Sequence, residues 1–351
     1  MTIEKGTDVT LHEDFDISRY PAEAEVMTWF DTLSNWGRWG ADDQAGTLNL
    51  IQPEHRVAAA KLVTTGRTVS CSQVLAMSPM ADGTADRHMV ATGMGLKEDG
   101  RRPSGIGGRA DTALESISMI FHGFFVTHID SLAHLFWDGK MYNDQPANLV
   151  SDIAGAAVHD IQPASPRIVT RGVLLDVAAA KGVDTLPAGH NVTPEDLEEA
   201  EERQGVRVGE GDVILLRTGE GGRRERDGAA YNPIGAKSGY QAGCLPWFKE
   251  RGVAAIGADV WNDASPFGMP TSTEMATQGT DAFSLSGYAE LQMPVHTIGI
   301  VAMGLWLIDN CQLEELSAAC AEHDRWEFLF SCSPLKMMGA TGSPVNPIAT
   351  F

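Results

Sequence analysis

The stretch from Phe121 to Pro146, F-H-G-F-F-V-T-H-I-D-S-L-A-H-L-F-W-D-G-K-M-Y-N-D-Q-P, restricts what this chain can become more than any other. It places His122, His128, His134 and Asp130 among residues that favour strands: Phe124, Phe125, Val126, Ile129, Leu132, Leu135, Phe136 and Trp137. A carboxylate buried in such company is costly unless it is paired. Residues two apart on a strand share a face, so His128 and Asp130 leave the backbone together, with Cα atoms roughly 6.5 Å apart. A divalent cation bonding nitrogen and oxygen at about 2.0 to 2.2 Å bridges that gap. His134 joins them if the chain turns after Asp130, as Ser131 and the small Ala133 permit. Continuous strand would carry His122 about 20 Å away from His128, so it joins only if Gly123 marks a bend or bulge.

A lone histidine in an apolar strand is more often a satisfied core residue than a ligand. Three of them with a same-face aspartate favour a metal or acid/base site. The five cysteines are odd in number, scattered and never spaced C-x-x-C, so histidine and carboxylate are the expected ligands. A net charge of -21 with a sequence pI near 4.8 argues against nucleic acid and anionic membrane surfaces, which attract basic faces. The chain starts M-T-I-E-K-G-T-D-V-T, without an apolar leader, and no run approaches the length of a membrane span. It reads as cytoplasmic.

Residues 1–20 read as a loose arm ahead of one domain over 21–351. A helix is expected from Pro21 through Leu33, with Pro in its first turn. After it, Trp36 and Trp39 flank Gly37 and Arg38 in a turn-rich segment and serve either as a hydrophobic plug or as an aromatic wall. Pro53 to Leu62 reads as helix and Thr68 to Leu75 as strand. The aperiodic, Gly-rich run 78–113 holds His88, a candidate substrate contact. Arg167 to Asp176 and Asp212 to Arg217 read as buried strands. Between them Thr193 caps a helix that Pro194 opens and Gly205 closes, with the acidic run Glu198 to Glu202 on its solvent face. Gly219 to Asp227 reads as a loop and Leu245 to Arg251 as a helix. Strand Val253 to Val260 ends near Asp259 and Asp263, where α/β folds place ligands. His296 enters the apolar run that ends at Asp309. Leu313 to His323 reads as helix, Trp326 to Cys332 as strand, and the tail as turns. Strands and helices mix without strict alternation, predicting one α/β domain with a mixed β-sheet flanked by helices.

Assembled in order, N-W-G-R-W-G (35–40), T-H-I-D-S-L-A-H (127–134), D-G-K-M-Y-N (138–143), R-G-V-L-L-D (171–176), G-D-V-I-L-L-R-T-G (211–219), P-V-H (294–296) and T-G-S-P-V-N-P-I-A (341–349) resemble the Putative cyclase family. These metal-dependent hydrolases include bacterial kynurenine formamidase and isatin hydrolase. The resemblance implies a cyclase-like, swivelling β/β/α fold. Of the family motif H-x-G-T-H-x-D-x-P-x-H this chain keeps Thr127, His128, Asp130 and His134. Phe124 stands where the first histidine belongs, Val126 replaces the glycine and Leu132 the proline, and His122 is the candidate for the missing ligand. The resemblance adds His296 as a further ligand, and Asp309 near the place of a family glutamate.

The expected centre therefore holds zinc or manganese on His128, Asp130, His122, His296 and Asp309. One ion or two is left open. His134 is assigned as general acid/base, with a third-ligand role as its alternative. Trp36, Trp39, Phe124 and Phe125 would wall the pocket, favouring an aryl or cyclic small-molecule substrate. The expected reaction is hydrolysis of an amide, lactam or lactone by metal-activated water. The rivals are a metal-dependent lyase or cyclase and a binding protein with a lapsed site. Family likeness implies a homo-oligomer, a dimer or tetramer.

Overall fold

Four consecutive apolar runs form the middle of the sheet because each is covered on both faces and needs no polar side. In the computed structural model, which describes residues 20–75, 119–266, 268 and 286–351, nine strands pair in one mixed sheet. Along the chain they are β1 (Thr68–Ser70), β2 (His128–Asp130), β3 (Val169–Asp176), β4 (Val213–Arg217), β5 (Ala255–Ala258), β6 (Trp306–Asp309), β7 (Glu327–Ser331), β8 (Gly342–Pro344) and β9 (Ile348–Thr350). Their spatial order is β1-β9-β7-β3-β4-β5-β6-β2-β8. The central β3, β4, β5 and β6 run parallel to one another. On one flank β7 is antiparallel to β3 and to β9, and β9 to β1. On the other, β2 is antiparallel to both β6 and β8. That second flank positions the site, since its register sets Asp309 opposite His128 and Gly342 opposite Asp130.

Among the described residues, six α-helices of eight residues or more flank the sheet: α1 (Glu23–Thr32), α2 (Pro53–Ala60), α3 (Pro194–Gln204), α4 (Glu220–Asp227), α5 (Cys244–Arg251) and α6 (Glu314–His323). In α3, Thr193 and Asp196 exchange capping bonds, Pro194 occupies the first turn, and Gly205 ends the helix at φ 62°. A left-handed residue there suits glycine, which carries no Cβ to clash. The mixed sheet flanked by helices is the predicted architecture.

Several local expectations fail for identifiable reasons. The strand forecast through residues 121–130 survives only as β2, because residues 122–126 bend. Helix α1 opens at Glu23 behind Ala22, leaving Pro21 outside the first turn. Strand β1 stops at Ser70. The run 219–227 is helix α4, not loop: Asp259 accepts bonds from the amides of Thr218, Gly219 and Glu220 and so caps its start. Glu201 is buried rather than solvated, accepting from the Val208 amide at 2.6 Å and pairing with Arg251 at 3.2 Å. The tail supplies two strands, β8 and β9, by pairing with distant partners that no local pattern announces. The apolar run 293–310 divides into a short helix Pro294–His296, a π-helical run Thr297–Met303 and β6.

All five cysteines are free and buried. Among the described residues no helix is long and apolar enough to cross a membrane. Residues 1–19 of the expected arm, and the run 78–113 with His88, lie outside the described residues.

Candidate metal centre

Asp130 lies on the three-residue strand β2 between β6 and β8, and it is almost wholly buried, with a side chain 1% exposed. Two bends bring histidines to it. Residues 122–126 curve at Gly123, whose φ of 136° suits glycine, and this returns His122 to the site. Its Nδ1 lies 2.9 Å from Asp130 Oδ1. After Asp130 the His134 amide bonds the Ser131 carbonyl at 3.0 Å, and that turn sets His134 Nε2 3.9 Å from the same oxygen. The two imidazoles stack with centroids 4.0 Å apart and planes 5° from parallel.

Space for His122 comes from a missing side chain. A Cβ at Gly342 would stand 2.6 Å from His122 Cε1, while Thr341 Oγ1 sits 3.3 Å from Nε2. With Nε2 directed at the threonine, Nδ1 is the atom offered to Asp130's side of the site. Gly342→Ala would press on His122 and on the Ile129 carbonyl, 2.7 Å from the same Cβ, and should therefore displace His122. We expect metal content per chain to fall while the circular dichroism spectrum stays native, and unchanged content would show that His122 holds no metal.

The other half of the site comes from strands and helices far along the chain. His128 Nε2 lies 3.5 Å from Asp130 Oδ1 and 3.6 Å from Asp309 Oδ2. His296 Nε2 lies 3.5 Å from Asp130 Oδ2 and 3.2 Å from Asp309 Oδ2. Neighbouring donors around a cation held by bonds of about 2.0 to 2.2 Å are separated by roughly 2.9 to 3.6 Å, so these spacings are those of a ligand set. The far sides of both rings are fixed. His128 Nδ1 donates to the Val126 carbonyl at 2.8 Å, and His296 Nδ1 donates to Asp263 Oδ2 at 2.6 Å. Each bond holds a proton on Nδ1 and makes Nε2 the ring atom that faces inward. Asp263 also accepts from the Val295 and His296 amides, at 2.8 and 2.9 Å, and Asn262 donates to Asp309.

Two overlapping groups thus meet at Asp130, His122–Asp130–His134 and His128–Asp130–Asp309, each able to hold a metal ion. His296 extends the second through its approach to both carboxylates. The donor atoms fit such an ion on independent grounds: both Asp130 oxygens and His122 Nδ1 are buried and make no hydrogen bond of acceptable geometry. Buried polar atoms left unbonded are expensive, and these converge on one space.

Charge follows the same layout. Burial opposes ionisation of Asp130, yet His134, His122, His296 and His128 together hold its carboxyl well below the usual range. Burial opposes protonation of His296 as well, but Asp309, Asp130 and Asp263 raise it well above an ordinary imidazole. His134 goes the other way: burial outweighs the attraction of Asp130 and the ring drops to about 4, so it is neutral at neutral pH. The histidines also differ in access. The side chains of His122 and His134 are 24% and 25% exposed, against 2% for His128, so the first pair forms the mouth.

Phe124, in the place of the family's first histidine, meets the Trp261 ring edge-on at 4.8 Å. Phe125 lies half-buried in the same bend. Trp36 and Trp39 pack on the main core. Trp36 Nε1 donates to the Val301 carbonyl at 2.7 Å with Lys140 above its ring, and Trp39 lies beneath the Arg38 guanidinium.

The sequence reading omitted Asp263, Asn262, Thr341 and Gly342 from the site. Asp263 had a usable signal, its place after a strand end; the other three have none without the sheet order. Removing an orienting carboxylate costs about 10- to 100-fold in metal affinity. Asp263→Asn should show that loss in a competitive chelator titration, and native affinity would mean that His296 is no ligand.

The comparisons bear on the family and the fold. A sequence profile described as Putative cyclase matches residues 21–263. The solved structure of a novel cyclase is 29% identical, with a TM-score of 0.75 over 91% of this chain and 100% of that one. Isatin hydrolase A from Ralstonia solanacearum is 20% identical, with a TM-score of 0.53 over 81% of this chain and 91% of its own. An isatin hydrolase bound to the product analogue thioisatinate is 17% identical, with a TM-score of 0.52 over 83% and 93%. At such identities these two share the fold. No curated protein matches the sequence. Because the profile spans well over half of the chain and the novel cyclase shares its architecture along nearly all of it, the chain belongs to the Putative cyclase family.

Proposed function

We propose that this protein is a metal-dependent hydrolase that opens an amide, lactam or lactone carbonyl bond in a small aryl or cyclic substrate. The observation that carries this reading is Asp130, whose two buried, unbonded oxygens face four imidazoles and lie beside a second carboxylate. His128, Asp130, His296 and Asp309 would hold the ion, with His122 adding its Nδ1 on the Oδ1 side. Zinc or manganese held there lowers the pKa of water and polarises a carbonyl oxygen.

The chain's own groups supply the rest. His134 is neutral and stands at the mouth, so its Nε2 can take a proton from the attacking water. The water oxygen bonds the carbonyl carbon, the C–N or C–O bond breaks, and the same proton passes to the leaving nitrogen or oxygen. The products are a carboxylate and an amine or alcohol, joined in one molecule when the substrate is a ring. The π-helical run Thr297–Met303 follows His296 directly and strand β6 ends on Asp309, which places both ligands on regular backbone with almost fully buried side chains. The likeness to isatin hydrolase, a ring-opening enzyme by its name, supports a cyclic substrate.

Metal-replete protein should be screened against N-formyl aryl amines, isatins, aryl carbamates and unsaturated lactones in 18O-water. We expect a product heavier than substrate by one water, with label in the new carboxylate. An unlabelled isomer would instead identify a lyase or cyclase, and protein that takes up no stoichiometric metal would identify a lapsed site.

A further inference from the structure

Beside the ligand cluster the interior carries a surplus of positive charge, which is unexpected in a chain of net charge -21. Arg223 and Lys237 pair with one carboxylate, Glu220, whose side chain is 1% exposed, and Arg224 follows Arg223 on α4. Arg223 Nη1 lies 3.0 Å from Glu220 Oε2, and Lys237 Nζ lies 3.1 Å from Oε1. Those two pairs set a cation beside each oxygen, with Oε1 making no hydrogen bond of acceptable geometry. Asp259, which meets the start of α4, already accepts from Thr218, Gly219 and Glu220. Arg224 is left with neutral partners. Its Nη2 donates to the Phe124 carbonyl at 3.2 Å, its guanidinium lies 5.2 Å from the Tyr231 ring, and its Nε is buried without a hydrogen bond.

The location makes this surplus informative. Phe124 belongs to the bend that carries His122, and its ring meets Trp261, a residue 8% exposed whose Nε1 is also buried without a partner. The next two residues, Asn262 and Asp263, hold Asp309 and His296. Two unspent donors therefore flank Phe124, in the bend that carries His122, and one of them is a cation with no counter-ion among the described residues. A guanidinium left without an anion in a partly dry setting is a standing cost, and a carboxylate is its best-matched partner.

We infer that Arg224, with Trp261 beside it, forms an anion subsite that binds a carboxylate on the substrate, remote from the carbonyl under attack. The purpose of the subsite rests on the hydrolase reading, but its existence is tested by binding alone. The probes are 3- and 4-acetamidobenzoate against neutral acetanilide, titrated by calorimetry into metal-replete protein. At least one acid should bind the native protein roughly tenfold tighter or more than acetanilide, the worth of a hydrogen bond to a charged group. Arg224→Met should remove that preference, with metal content and acetanilide binding unchanged. Lys237→Met, which leaves Arg224 in place, should keep most of it. Equal binding of acids and acetanilide by the native protein overturns the inference whether or not any probe is turned over. So does an Arg224→Met protein that loses metal and weakens on all ligands alike, because Arg224 would then be only a latch on the Phe124 carbonyl. If the subsite holds while 18O stays out of the products, the reaction is misassigned and the subsite is not.

Discussion

Asp130→Asn should strip the metal from this protein and lower turnover by at least about a thousandfold, since several kcal/mol of charge stabilisation leave with the ion. The substitution changes shape little and charge by one unit, so its effect isolates what the carboxylate does. Asp130 is the only residue common to both candidate groups, with His122, His128 and His134 near Oδ1 and His296 near Oδ2. An amide there presents an NH2 to the imidazole nitrogens that face inward, and it removes the negative charge that balances a divalent cation. His128→Ala should behave alike, for His128 lies 3.5 and 3.6 Å from the two carboxylates. Metal analysis after dialysis, with circular dichroism to establish that the variant is folded, decides the matter. A folded Asp130→Asn protein with a full complement of metal would overturn the assignment of the centre.

His134→Ala is expected to keep its metal and lose about 10²- to 10⁴-fold in kcat, the usual range for a general acid/base. The opposite pattern is expected of His122→Ala, which should lose metal first. The two rings stack and lie on the same side of Asp130, so burial and neighbourhood hardly separate them. Two details do. His122 comes within 2.9 Å of Asp130 through an Nδ1 aimed by Thr341 and Gly342, whereas His134 stays at 3.9 Å. Burial keeps His134 neutral, the form that accepts a proton. Should His134→Ala also release metal, His134 is the third ligand of the His122–Asp130 group and the base must be sought elsewhere.

Legibility of the fold tracked the range of the interactions involved. Helix α3 could be bounded from Thr193, Pro194 and Gly205 because capping and left-handed closure are decided within a few residues. The apolar runs of β3 and β4 were equally plain, since strands buried on both faces need no alternation. Helix α4 was missed because its start is stabilised by Asp259, just past the end of strand β5, and β8 and β9 were missed because strands of three residues exist only through their partners.

The candidate site divides along the same line. By itself the sequence determined that His128 and Asp130 share a face, that Ser131 and Ala133 permit a turn to His134, and that Gly123 must bend for His122 to arrive. These are consequences of backbone geometry over a few residues. Only the tertiary structure decided that β6 runs beside β2, which sets Asp309 against His128 and lets the helix before β6 deliver His296. It also decided which imidazole nitrogen faces inward, because that depends on Val126, Asp263 and Thr341 on the far sides of the rings. The physical reason is that a side-chain period is written in neighbouring residues, whereas strand order and register are settled by the packing of segments more than a hundred residues apart.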